Sequence, residues 1–187
     1  MKKILSIATL FLIIISNAMA VEEANYEIIK TNEIYEIRKY SDLIVVETIT
    51  SNENSGFRKL FNYISGANEK NQEIKMTAPV TQLTKNGNTF MQFYLPSKFN
   101  KENIPEPSNP NVKISKMKAG YYAVISYSGR NSEKNFIKHK KILEEELKKN
   151  NISILSSAIK AGYDSPFTLP MLRRNEAMYE IDFKTAT

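Results

Sequence analysis

Four prolines, at positions 96, 105, 107 and 110, split this chain into two halves that read alike. Proline fixes φ and lacks a backbone N–H, so residues 96–111 serve as a connector and not as a helix interior or a central strand. Before it, Tyr26 to Lys30 and Glu33 to Tyr40 read as extended, and Leu43 to Thr50 is dense in β-branched residues, with a join near Ser41-Asp42. A helix follows, with Asn54 or Ser55 as its cap and Gly66 at its end. Its apolar residues Phe57, Leu60, Phe61 and Ile64 fall at i, i+3, i+4 and i+7. Ile74 to Thr84 and Thr89 to Leu95 are extended again, around a Lys85-Asn86-Gly87-Asn88 hairpin turn whose Asn-Gly step favours type I′.

After the connector the order restarts. Val112 to Lys118 and Tyr121 to Tyr127 read as a strand pair around Ala119-Gly120, Ser132 to Lys149 as a helix, and Ile152 to Ala161 and Ala177 to Phe183 as strands. Strand, strand, helix, strand, strand occurs twice, so a duplicated unit is expected. Each helix has one apolar face and must lie on a sheet, which makes the fold class α+β.

The first 20 residues stand apart. Lys2 and Lys3, an apolar run from Ile4 to Ile15 and the Ala18-Met19-Ala20 sequence form a secretory signal peptide, and the run is too short for a spanning helix. Cleavage is expected near Ala20-Val21, leaving residues 21–187 as one monomeric domain, periplasmic or secreted, with no stable membrane insertion.

Composition excludes several function classes. With no cysteine, there are no disulfides, thiolate metal sites or thiol nucleophiles. The net charge of +6 falls by two once the leader is removed, and the remaining lysines are scattered; Lys138, Lys140 and Lys141 share a helix with Glu144, Glu145 and Glu146. No nucleic-acid stripe results. One histidine, His139, rules out multi-histidine centres, and there is no G-x-S-x-G, H-E-x-x-H or P-loop sequence. A binding protein is therefore expected, and not an enzyme.

Six segments carry a more specific resemblance: Tyr35-Glu36-Ile37-Arg38-Lys39-Tyr40, Phe57 to Gly66, Ile74 to Val80, Phe93-Tyr94-Leu95-Pro96, Gly162-Tyr163-Asp164 and Arg173-Arg174-Asn175-Glu176. In this order they resemble the SOUL/heme-binding protein family. The resemblance implies a twisted antiparallel β-barrel flanked by two helices with pseudo-twofold symmetry. It also implies reversible, non-covalent binding of heme or another tetrapyrrole (porphyrin) as cofactor.

Such a ligand needs a flat apolar slot, cations for its propionates and, optionally, an axial donor. The slot candidates are Phe57, Leu60, Phe61 and Ile64 on the first helix, with Tyr163, Phe167 and Met171 in a loop that is unusually apolar for a connection. That stripe serves core packing equally well, and the loop serves to seal the barrel end. Arg58 and Arg173 are the propionate candidates, since guanidinium groups pair with carboxylates. Arg173 to Glu176 also reads as structural, pairing with acids such as Glu36 or Asp164. His139, at the margin of its helix's apolar face, reads as a structural histidine, and binding without strong axial ligation is expected. A cell-envelope carrier or interaction module for a different amphipathic small molecule is the alternative.

Overall fold

The computed structural model describes residues 21–184; the expected signal peptide and its cleavage point before Val21 lie outside them. The strands run β1 (Glu22–Glu23), β2 (Glu27–Thr31), β3 (Glu36–Tyr40) and β4 (Leu43–Ile49), followed by helix α1 (Glu53–Ile64). Next come β5 (Thr77–Ala78), β6 (Val80–Lys85), β7 (Asn88–Tyr94), β8 (Val112–Met117) and β9 (Gly120–Tyr127). Helix α2 (Glu133–Lys149), β10 (Ser153–Ile154), β11 (Ile159–Gly162), a 3-10 turn (Pro170–Leu172) and β12 (Asn175–Asp182) complete the chain.

The main sheet is ordered β2-β3-β9-β12-β11-β6-β7-β4-β8, with β10 also on β12, while β1 pairs in parallel with β5. Its order shows the duplication. The units are β3-β4-α1-β6-β7 and β8-β9-α2-β11-β12. The first strand of each pairs with the second strand of the other, β3 on β9 and β8 on β4, and the third strands, β6 and β11, meet at the centre. The path runs from β2 to β8 and curls into a half-barrel flanked by the two helices, in keeping with the twisted antiparallel architecture expected.

One expectation is corrected here. β8 and β9 are consecutive but do not pair, because β8 pairs with β4 of the other unit and β9 is taken on both sides, by β3 of the other unit and β12 of its own. The link between them lies beside the matching link between β3 and β4: Asp42 accepts from the Ala119 N–H at 2.9 Å and pairs with Lys116 at 2.9 Å. Two expected strands are also interrupted. The cis Ala78–Pro79 bond separates β5 from β6, and residues 155–158 separate β10 from β11.

Alternation along each strand sorts side chains between two faces. Val46, Met91 and Phe93 face Leu60, Tyr63 and Ile64 of α1, and Ile37, Ile125 and Ala177 face Phe136, Leu143 and Leu147 of α2. Their strand neighbours Val45, Tyr94, Val124 and Met178 fill the concave side with Tyr40 and Tyr122. The 86–87 turn has positive φ at both residues, 52° and 76°, as type I′ requires.

Helix α1 begins earlier than the sequence suggested. Asn52 is the cap, its side chain accepting from the N–H groups of Asn54 and Ser55. The first turn sits close to the sheet because Gly56 has no side chain: a Cβ there would stand 2.8 Å from Thr50 Cγ2.

Candidate functional site

Helix α1 packs mainly on β4, β7 and β8, and α2 on β9, β10 and β12. The central pair β6 and β11 is left as the floor of a groove between the helices. The register sets Val80 opposite Gly162 and Gln82 opposite Lys160. At the Gly162 end lies a cleft of about 380 Å³. Phe57, Glu53 and Asn54 of α1 form one wall, Asp164, Pro166 and Arg173 of the loop before β12 form the other, and Val80, Gln82 and Met91 lie beneath.

The helix wall is aromatic. Phe57 and Phe61, one turn apart, are stacked at 14° with centroids 6.0 Å apart, and Phe57 meets Phe93 edge-on at 5.2 Å. Both rings remain part-exposed, because the buried stripe of α1 is Gly56, Leu60, Tyr63 and Ile64. Leu60 and Ile64 are thus enclosed in the core and do not line the cleft.

The opposite loop is held from within. Arg173 donates through Nε to the Thr168 carbonyl at 2.8 Å and through Nη2 to the Pro166 carbonyl at 2.5 Å, and the Gly129 N–H donates to the Pro170 carbonyl at 2.8 Å. Its apolar side chains point outward: Phe167 is 94 % exposed and Met171 72 %. Arg58 is exposed on α1 beside Phe57.

Tyr163 points away from the loop's apolar tip, into a buried charge cluster. Its hydroxyl donates to Glu176 Oε2 at 2.7 Å, and Arg174 lies 3.7 Å over its ring. Glu176, fully buried, also accepts two bonds from Arg38 at 3.0 Å each, two from Arg174 at 3.0 and 2.8 Å, and one from Ser126 at 3.1 Å. Burial alone would raise the Glu176 pKa. Hydrogen bonds and charge from Arg38, with Arg174 and Tyr163, outweigh it and hold the carboxyl below the ordinary glutamate value. Burial, with the Glu176 charge as the second cause, pushes the Tyr163 hydroxyl far up. Tyr40, nearby, is pushed up to about 12 by burial. Asp164 accepts from the Arg174 N–H at 2.6 Å, so the expected pairing of this segment with Asp164 runs through the backbone; Glu36 pairs with Arg38 instead. The cluster anchors both ends of the apolar loop.

His139 does not line the cleft. Its ring stacks on Tyr127 at 4.0 Å with 2° between planes, and Nδ1 lies 2.8 Å from the Asn135 carbonyl. The Tyr63 hydroxyl donates to the Pro105 carbonyl at 2.8 Å, within the core. Among the described residues no group of three or more His, Cys, Asp or Glu could hold a metal ion, and no helix is long and apolar enough to cross a membrane.

Sequence reasoning missed Glu53, Gly162, Lys160 and the Arg38–Glu176 pair. A faint trace of two of them was present: Arg38 and Lys160 each interrupt apolar strand residues, Ile37 to Tyr40 and Ile159 to Ala161.

A pseudo-twofold half-barrel with two helices on its convex face and a cleft between helix and loop defines the class of the domain. The chain belongs to the SOUL heme-binding protein family, whose profile matches residues 21–180. It is 33% identical to heme-binding protein 2 of Mus musculus and 31% identical to that of Homo sapiens, each alignment covering 79% of this chain and 77% of the relative. The crystal structure of the EcmrR C-terminal domain superposes with a TM-score of 0.60 at 12% identity, over 84% of this chain and 98% of that domain, a likeness of fold.

Proposed function

We propose that this protein is exported and binds heme or another tetrapyrrole, non-covalently and reversibly, in the cleft between α1 and the loop before β12. The observation that carries the reading is the cleft in which part-exposed Phe57, stacked on Phe61, faces the Arg173-pinned loop. These are the parts a planar, amphipathic macrocycle needs: an aromatic wall, apolar side chains in the floor and facing wall, and a cation in the lining. The family and its heme-binding relatives support the ligand class.

The residues fit a tetrapyrrole held by burial and charge. Phe57, backed by Phe61, offers a ring-stacking surface, Val80, Met91 and Pro166 line the rest of the cleft, and Arg173 and Arg58 supply charge near the rim. Neither histidine nor cysteine lines the cleft, so binding rests on these contacts and not on a strong axial bond to iron. No catalytic group is assigned; the protein acts as a monomeric binder. Export rests on the Lys2-Lys3, Ile4–Ile15 and Ala18-Met19-Ala20 sequence, and a mature N-terminus at Val21 by mass spectrometry of secreted or periplasmic material checks it.

A second reading is a carrier for a different amphipathic small molecule, which the acids Glu53 and Asp164 in the lining favour if that molecule is cationic. Titration of residues 21–187 with hemin and protoporphyrin IX separates the two. Saturable Soret and fluorescence changes at low micromolar concentration, weakened by Phe61→Ala, support the tetrapyrrole; no response to either compound overturns it.

A further inference from the structure

Lys160 occupies the centre of the interhelical groove, on the central strand β11 opposite Gln82. It is a lysine in a core position, 4 % exposed, between Ile159 and Ala161, whose side chains face the concave side. Its ammonium is 2.8 Å from Glu53 Oε1, and this bond takes one of the three N–H donors that an ammonium carries. The partner is of a different kind: the Glu53 side chain is 57 % exposed and stands on the first turn of α1, where it lines the cleft. A buried ammonium must keep an anion beside it, whereas an exposed carboxylate can turn into water at small cost.

The pair also divides the groove. On the Glu53 side is the cleft of about 380 Å³; on the other, lined by Lys160, Thr84, Phe136, Ser156 and Tyr179, is a second chamber of about 680 Å³. Gln82 lines both. The first volume is near the lower limit for a drug-sized ligand, roughly 300 to 1,000 Å³. Turning Glu53 outward opens the cleft toward the second chamber and uncovers the ammonium at the junction.

We propose that Lys160 is the anchor for a carboxylate of the bound ligand and that Glu53 is its resident substitute, displaced on binding. The inference rests on the tetrapyrrole reading and narrows it to carboxylated members of the class. The macrocycle lies against Phe57 and Phe61 with a carboxylate directed inward along the floor to Lys160, while Arg173 meets the rim. The ligand's carboxylate replaces that of Glu53, so the ammonium is never left without an anion. A ligand lacking a carboxylate has nothing to offer in exchange and binds the smaller, closed cleft.

The test compares deuteroporphyrin IX with its dimethyl ester, by fluorescence titration of residues 21–187 and of the variants Lys160→Met and Glu53→Gln. The wild type should bind the free acid about tenfold or more tighter than the diester, the difference expected for one charge-assisted hydrogen bond. Lys160→Met should lose about tenfold of that preference, leaving only what Arg173 contributes at the rim. Glu53→Gln, which removes the competing carboxylate, should raise the ratio of free-acid to diester affinity above that of the wild type. An undiminished preference in Lys160→Met, or an acid-to-ester ratio no higher in Glu53→Gln than in the wild type, overturns the assignment; if Lys160→Met does not fold, Glu53→Gln alone decides. Equal binding of acid and ester by the wild type removes the carboxylate anchor but leaves tetrapyrrole binding standing. Binding of neither defeats both.

Discussion

Replacing Glu176 by Gln tests whether the buried charge cluster holds the second half of the fold together. Glutamine matches glutamate in shape but carries no charge and turns one of the two acceptor oxygens into an NH₂ group. Arg38, 2 % exposed, and Arg174 both direct guanidinium groups at this carboxylate, through four bonds of 2.8 to 3.0 Å. Glu36 and Glu23 remain as partial partners, at 2.7 and 2.9 Å. Removing one member of a buried ion pair costs about 3–5 kcal/mol, because the other is left without compensation. For a domain of this size each kcal/mol lowers Tm by about 2–4 °C, so a fall of roughly 6–20 °C is expected at pH 7. Urea denaturation followed by circular dichroism should show a lower midpoint with an unchanged slope. The double variant Glu176→Gln with Arg38→Met should recover part of the loss, since it removes the stranded cation as well. A loss under about 1 kcal/mol, the range of exposed pairs, or a double variant worse than the sum of the two singles, would refute the argument.

Since the folded Glu176 pKa lies below the ordinary value, its contribution is complete above the unfolded glutamate value of about 4.3 and is lost as pH falls through the lower folded value. Acid titration of stability should therefore be steeper below that point in the wild type than in Glu176→Gln. Leu60→Ala should cost about 2–5 kcal/mol in denaturation, because Leu60 is enclosed in the core. Phe61→Ala should change stability little and weaken porphyrin binding about tenfold, read by fluorescence titration. Asn52→Ala should cost about 1 kcal/mol of thermal stability, the usual loss for a cap. Arg173→Ala frees the carbonyls of Pro166 and Thr168, so chymotrypsin should cut after Phe167 faster while Tm moves little.

The parts of the fold legible in the sequence were those set by neighbours along the chain. The Asn86-Gly87 turn, the apolar period of both helices and the repeated order of elements all appear in place. Periodicity did not reveal which strands would pair: the β8–β9 segment has the pattern of a hairpin, yet both strands take partners from the other unit. The cleft was partly legible, since Phe57 and Arg173 both line it, and an exposed apolar loop violates the usual polarity of connections. Helical spacing could not separate Leu60 and Ile64, which the sheet covers, from Phe61, which stays open. A wide apolar stripe contains both its buried centre and its margin. Tyr163 looked like a ligand contact, whereas its partner Glu176 lies thirteen positions on and is brought near by the β11–β12 pairing. Lys160 was overlooked because its setting depends on α1, which lies more than a hundred residues earlier in the chain.

The reciprocal loan of first strands has a consequence for assembly. Neither half owns a complete ladder: β4 needs β8, and β9 needs β3. A half synthesised alone would present an unclaimed strand edge, and its nearest cure would be a second copy of itself. Two such halves could offer each other the missing strand in the register that one chain now provides internally. The proline-rich connector, by tethering the two, turns what would be a concentration-dependent encounter into a folding step within one molecule.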